Sequence, residues 1–117
     1  IKYLYINDKR NGIYDIYFRN GKLSMFYTFI NGEKNGECII YYQNGGISEK
    51  YYYIDGKENG EHNYYYPNGN IDTKTYCIDG VKTGNEILHK ENGDIKEKWY
   101  YTDKYMLLTQ NERTLIR

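Results

Sequence analysis

The sequence predicts an all-β repeat protein: an elongated, twisted, single-sheet antiparallel β-meander of 24-residue hairpins. Three observations carry this. Turn-forming dipeptides recur at a fixed step, the runs between them are rich in Tyr and Ile, and no stretch has the 3.6-residue spacing of an amphipathic helix.

The step is 24 residues. Asn20-Gly21, Asn44-Gly45, Asn68-Gly69 and Asn92-Gly93 keep it without an insertion. Asn31-Gly32, Asp55-Gly56 and Asp79-Gly80 keep it too, as do Gly12, Gly36, Gly60 and Gly84. A constant period of this length is the mark of a stacked repeat, here of about four and a half units. The opening run 2–7 matches the second strand of a preceding unit, and a chain that starts at Ile1 is expected of a processed or trimmed piece.

Each unit holds two expected strands. The first kind falls at 13–18, 37–42, 61–66 and 85–90, the second at 23–30, 47–54, 71–78 and 95–102. Between them, x-Asn-Gly suits either a two-residue type I′ turn or a type I turn closed by Gly at a bulge. Pro67 before Asn68-Gly69 favours the second, because Pro presets φ at the first central position of a type I turn. That register puts Tyr17, Met25, Tyr27 and Phe29 on one face, with Tyr41, Tyr51 and Tyr53 and then Tyr65 and Cys77 at equivalent places. Ile16, Ile40, Tyr64 and Tyr66 are expected on the other. At ~4.8 Å per strand, nine or so strands make a ribbon roughly 45 Å long. The array is expected over 1–104. Residues 105–117, where Leu108 stands in place of the loop-closing Gly, are expected to form a C-terminal cap or tail, as a helix or an irregular strand.

Composition narrows function. Sixteen basic and sixteen acidic residues leave no net charge, which disfavours wholesale counterion release from nucleic acid and attraction to an anionic membrane. No window approaches the ~20 apolar residues of a membrane span, and nothing at the start reads as a signal peptide. Two Cys are too few for a disulfide framework, so a reducing, cytoplasmic setting or the inside of a larger assembly such as a virus particle is expected. Cys38 and Cys77, separated by two strands, are expected as free thiols beyond disulfide reach.

His62 and His89 are offset by an odd number within the repeat, which puts them on opposite faces and unable to share a metal ion. The acids Glu33, Asp55, Glu58, Asp79, Glu91 and Asp94 fall in loops beside lysines and read as solvated, with no pair converging on a cleft. The glycines have turn spacing, not phosphate-loop spacing. No catalytic residue, no metal and no cofactor is expected. The 17 Tyr are the one constellation above background, serving as cross-strand pairs, as an exposed interaction stripe, or as both on opposite faces.

The unit Gly-Glu…Tyr-Tyr-x-Asn-Gly-x-Ile…Tyr-Tyr-Tyr-Ile-Asp-Gly-Lys-x-x-Gly-Glu, complete between Gly36-Glu37 and Gly60-Glu61, resembles the MORN repeat in its longer variant. That variant is found in bacterial antitoxin-component-like proteins and in large-virus proteins. The resemblance covers residues 1 to about 104. It implies a twisted one-sheet meander whose aromatic positions line a groove, here Tyr17, Tyr41, Tyr65, Tyr27, Tyr51, Tyr53 and Trp99; such arrays are usually the part that binds another protein, or are proposed to bind lipid. Tyr in place of most Trp, and Thr75 and Cys77 within the aromatic columns, depart from the usual motif. The expected function is therefore a non-enzymatic protein-interaction scaffold with a protein partner and a capacity for self-association. An architectural subunit packing end to end, and a glycan or small-ligand binder that stacks sugars on aromatic rings, are the alternatives.

Overall fold

A computed structural model describes residues 2–101 and 107–109. The described residues form one open antiparallel sheet of 52 × 34 × 13 Å, so it is a single layer thick. In chain order the strands are β1 (Lys2–Ile6), β2 (Lys9–Tyr17), β3 (Leu23–Ile30), β4 (Glu33–Lys34), β5 (Gly36–Tyr41), β6 (Ile47–Ile54) and β7 (Lys57–Glu58). Then follow β8 (Gly60–Tyr65), β9 (Ile71–Ile78), β10 (Val81–Lys82), β11 (Gly84–His89), β12 (Ile95–Tyr101) and β13 (Leu107–Thr109). The long strands pair in sequence order, while β4, β7 and β10 are two-residue lead-ins on β3, β6 and β9. No helix among the described residues is long and apolar enough to cross a membrane. The expected cap at 105–117 lies outside the described residues except for β13, which extends the sheet against β12.

The two Asn-Gly sets make different turns. At Asn20-Gly21 the loop has three residues: Gly21 N–H donates to Phe18 O (3.0 Å), Phe18 N–H to Lys22 O (2.8 Å), and only Gly21 is left-handed (φ 88°). The Asn20 side chain adds a bond from Lys22 N–H at 2.9 Å, which is why Asn holds this place. At Asn31-Gly32 both residues have positive φ (52° and 82°), the type I′ turn that matches strand twist. The equivalent two-residue turn at Asn7-Asp8 (φ 52° and 62°) starts β2 at Lys9, four residues ahead of the expected strand.

One expectation is corrected by register. Tyr17 pairs with Leu23, but the next pair is Ile16 with Met25, so Ser24 is an extra residue in β3. The same bulge recurs at Ser48, Asp72 and Lys96. One inserted residue exchanges the faces of a whole strand. Ile16, Ile40 and Tyr64 therefore share a face with Tyr27 and Tyr51, whereas Tyr17, Tyr41 and Tyr65 point to the opposite one.

With one layer, the buried apolar residues among those described are only Cys38, Ile39 and Cys77. Neighbouring repeats are joined instead by side chains that reach backbone groups one unit away. Asn11, Asn35 and Asn59 accept, through Oδ1, the N–H that leads the next type I′ turn, at Asn31 (2.9 Å), Asp55 (2.8 Å) and Asp79 (2.9 Å). Each amide also donates to the carbonyl two residues before it, so both ends of Asn are used. At the opposite rim, Tyr42 and Tyr66 hydroxyls donate to Tyr65 O and His89 O of the following unit. Replacing Asn59 by Ala removes one such tie and should lower unfolding free energy by roughly 1 kcal/mol in denaturant titration. Gln43→Ala, at an exposed turn, should change it by less than about 0.5 kcal/mol.

Candidate functional site

The face that carries Tyr27 and Tyr51 is lined with rings held at contact distance. Tyr14, opposite Tyr27 across β2 and β3, stacks on it at 5.1 Å between centroids, and Phe29 meets Tyr27 edge-on at 5.4 Å. Arg10 lies over Phe29 (4.9 Å), and Lys34 lies over both Tyr27 (4.7 Å) and Tyr53 (5.1 Å), which links two repeats by cation–π contact. Tyr53 meets Tyr51 at 5.7 Å. His62 then stacks between Tyr51 (4.4 Å) and Tyr64 (4.5 Å). In the third unit the stripe breaks at Thr75 and Cys77, both buried, and resumes with Lys82 over Tyr101 at 5.5 Å.

Of the residues that sequence reasoning assigned to one groove, this face holds Tyr27, Tyr51, Tyr53 and Trp99, each half-buried. Tyr17, Tyr41 and Tyr65 lie on the far side for the reason of register given above. Tyr14, His62 and Tyr64 take their place. No residue type marks the extra position, which is Ser24, Ser48, Asp72 and Lys96 in successive units, so the sequence held no local signal for the exchange.

The centre of the face overturns a second expectation. Glu58 is not a solvated loop acid. Its Oε1 meets His62 Nδ1 in a short contact and its Oε2 accepts from the Cys77 thiol at 3.4 Å. Glu49 approaches the other ring nitrogen, Nε2, at 3.1 Å. Two carboxylates thus converge on one imidazole whose faces are covered by tyrosines. With both nitrogens engaged, the ring holds three strands together and has neither nitrogen free for an incoming substrate. The sequence shows the exception in one column, where Arg10, Lys34, Glu58 and Lys82 occupy the same place in successive units.

Burial governs the titration of this face. It pushes the hydroxyls of Tyr27, Tyr51, Tyr53 and Tyr64 above their ordinary range, and that of Tyr51 far above it. Burial raises the Cys38 thiol, and burial with the adjacent Glu58 carboxylate pushes Cys77 up to about 11. Among the described residues no group of three or more His, Cys, Asp or Glu side chains is arranged to hold a metal ion. No protein-family model matches the chain, and no curated protein matches it.

Two outcomes follow from the raised values. Below about pH 10, the ordinary tyrosine value, these rings are neutral folded or unfolded and their contribution to stability is complete. As pH rises through the higher folded values, the unfolded chain ionises first and that contribution is lost. Alkaline titration should therefore show strand circular dichroism and the late part of the 295 nm phenolate absorbance changing together. Reversible titration of all tyrosines near pH 10 with the sheet intact would contradict the packing. Thiolate is the reactive form of cysteine, so neither thiol should react with iodoacetamide at pH 8 until denaturant is added.

Proposed function

We propose that the chain is a non-enzymatic interaction module, akin in architecture to the MORN repeat, that holds a protein segment along the half-open aromatic stripe. The observation that carries this reading is the row of half-buried rings, Tyr27, Tyr51, Tyr53, Tyr64, Trp99 and Tyr101, on one face of a one-layer sheet. Tyr and Trp bring large contact area at low entropic cost and dominate interface energetics. The cations of this face already rest on its own rings, and its central acids on His62. A partner therefore needs apolar and aromatic side chains more than a counter-charge. A cytoplasmic setting, or one inside a larger assembly, belongs to the same proposal.

The test is direct binding to a purified partner recovered from the native source. Trp99, the one tryptophan, lies on the stripe and reports contact by its emission. Trp99→Ala and Tyr53→Ser should each weaken binding by about tenfold or more. Tyr17→Ser on the opposite face should leave it unchanged. Loss of binding in Tyr17→Ser alone, with Trp99 emission unaffected by the partner, would overturn the proposal.

A further inference from the structure

The face opposite the aromatic stripe is organised differently. Two apolar bands run across the strands along the array, and between them the two central repeats carry a short acidic and a short basic band. The first is a column of exposed isoleucines at one position of the repeat: Ile6 (51 % exposed), Ile30 (52 %), Ile54 (59 %) and Ile78 (54 %). Two residues further along the strands lies an acidic band, Glu37 and Glu61, each opposite an exposed tyrosine, Tyr52 and Tyr76. Two residues beyond that lies a basic band of Lys50 and Lys74. The fourth band is Tyr17, Tyr41 and Tyr65, of which Tyr17 is 56 % exposed. The acidic and basic bands touch, at 3.4 Å between Lys50 and Glu37 and 3.5 Å between Lys74 and Glu61. A shallow groove of about 700 Å³ runs between Ile30, Tyr52, Ile54 and Tyr76.

Across the face the order is apolar, acidic, basic, apolar. Turning a second copy by half a revolution about the long axis of the array, with its banded face laid on the first, reverses that order. Isoleucine then meets tyrosine, glutamate meets lysine, and each repeat lies over its counterpart. The surface is thus self-complementary under a two-fold axis, the commonest symmetry of homo-oligomers.

We propose that this banded face is a homodimer interface and that its occupant is a second copy of the chain, forming a two-layer β-sandwich. Sheets pack ~10 Å apart, within reach of these side chains from both sides. Half of the 52 × 34 Å outline is roughly 900 Å² per partner, within the range of stable specific interfaces. A net charge of zero sets no long-range repulsion between copies. The aromatic stripe stays on the outside of both layers, so this proposal does not rest on the function proposed above.

The test is sedimentation equilibrium of the whole chain up to roughly 100 µM, a range that detects micromolar dimers. The chain should sediment as a dimer. Ile54→Lys, at an exposed site outside the packed face, should raise the dissociation constant by about tenfold or more. Glu37→Lys with Glu61→Lys should do the same by setting two basic bands against each other. Adding Lys50→Glu and Lys74→Glu to that pair exchanges the bands and should restore the dimer, while circular dichroism shows that each variant keeps its strands. This rescue separates an interface from a folding defect. A monomeric parent chain would overturn the proposal. So would a dimer indifferent to Ile54→Lys, a failed rescue with the strands intact, or a dimer lost instead in Trp99→Ala.

Discussion

In a sheet 13 Å thick no second layer holds one repeat against the next, so the hydrogen bonds that cross between repeats govern the rest of the structure. The backbone ladder supplies most of them, but β3 and β5 share few register pairs, and so do β6 and β8. The asparagines Asn11, Asn35 and Asn59 close the gap at one rim, where each side-chain carbonyl caps the turn of the following unit. Only a short side chain with a donor and an acceptor satisfies its own loop and its neighbour at once. At the other rim the tyrosine hydroxyls of Tyr42 and Tyr66 do the corresponding work. With the fastening at the rims, both faces are left open.

The faces then diverge in chemistry. On one, rings and cations pack along the array and bury each other by half, which supplies the apolar contact that a core would otherwise give. Tyrosine suits this because its ring shields neighbours over a large area while its hydroxyl can still find a hydrogen-bond partner. On the other, exposed isoleucine and tyrosine columns flank the acidic and basic residues of the central repeats. A monomer that exposes apolar columns of this length is unusual, and such patches mark interaction surfaces. An array fastened at its edges, with each face free for a different contact, is suited to the work of a scaffold.

Much of this was legible in the sequence. The 24-residue step, the strand positions and the three-residue form of the x-Asn-Gly turn follow from Gly, Asn and Pro67, whose backbone preferences act locally. The face assignment did not follow, because the bulge at Ser24, Ser48, Asp72 and Lys96 is a choice of ladder register that leaves no composition mark, and one residue reverses the result. The placement of Glu58 was hidden for a related reason. It follows a type I′ turn and reads as a loop acid, but β7 carries it back onto β6 and within reach of His62. Non-local pairing decided both cases.

Amide hydrogen exchange at Asn31, Asp55 and Asp79 tests the rim fastening most directly. All three residues are exposed and sit in two-residue turns, where backbone amides ordinarily exchange freely with water. The account predicts that these three amides are protected as strongly as neighbouring strand amides, because each donates to an asparagine of the preceding repeat. It also predicts that protection at Asp79 is lost in Asn59→Ala. Exchange at the rate of an unstructured peptide at all three positions, with the strands still protected, would contradict it.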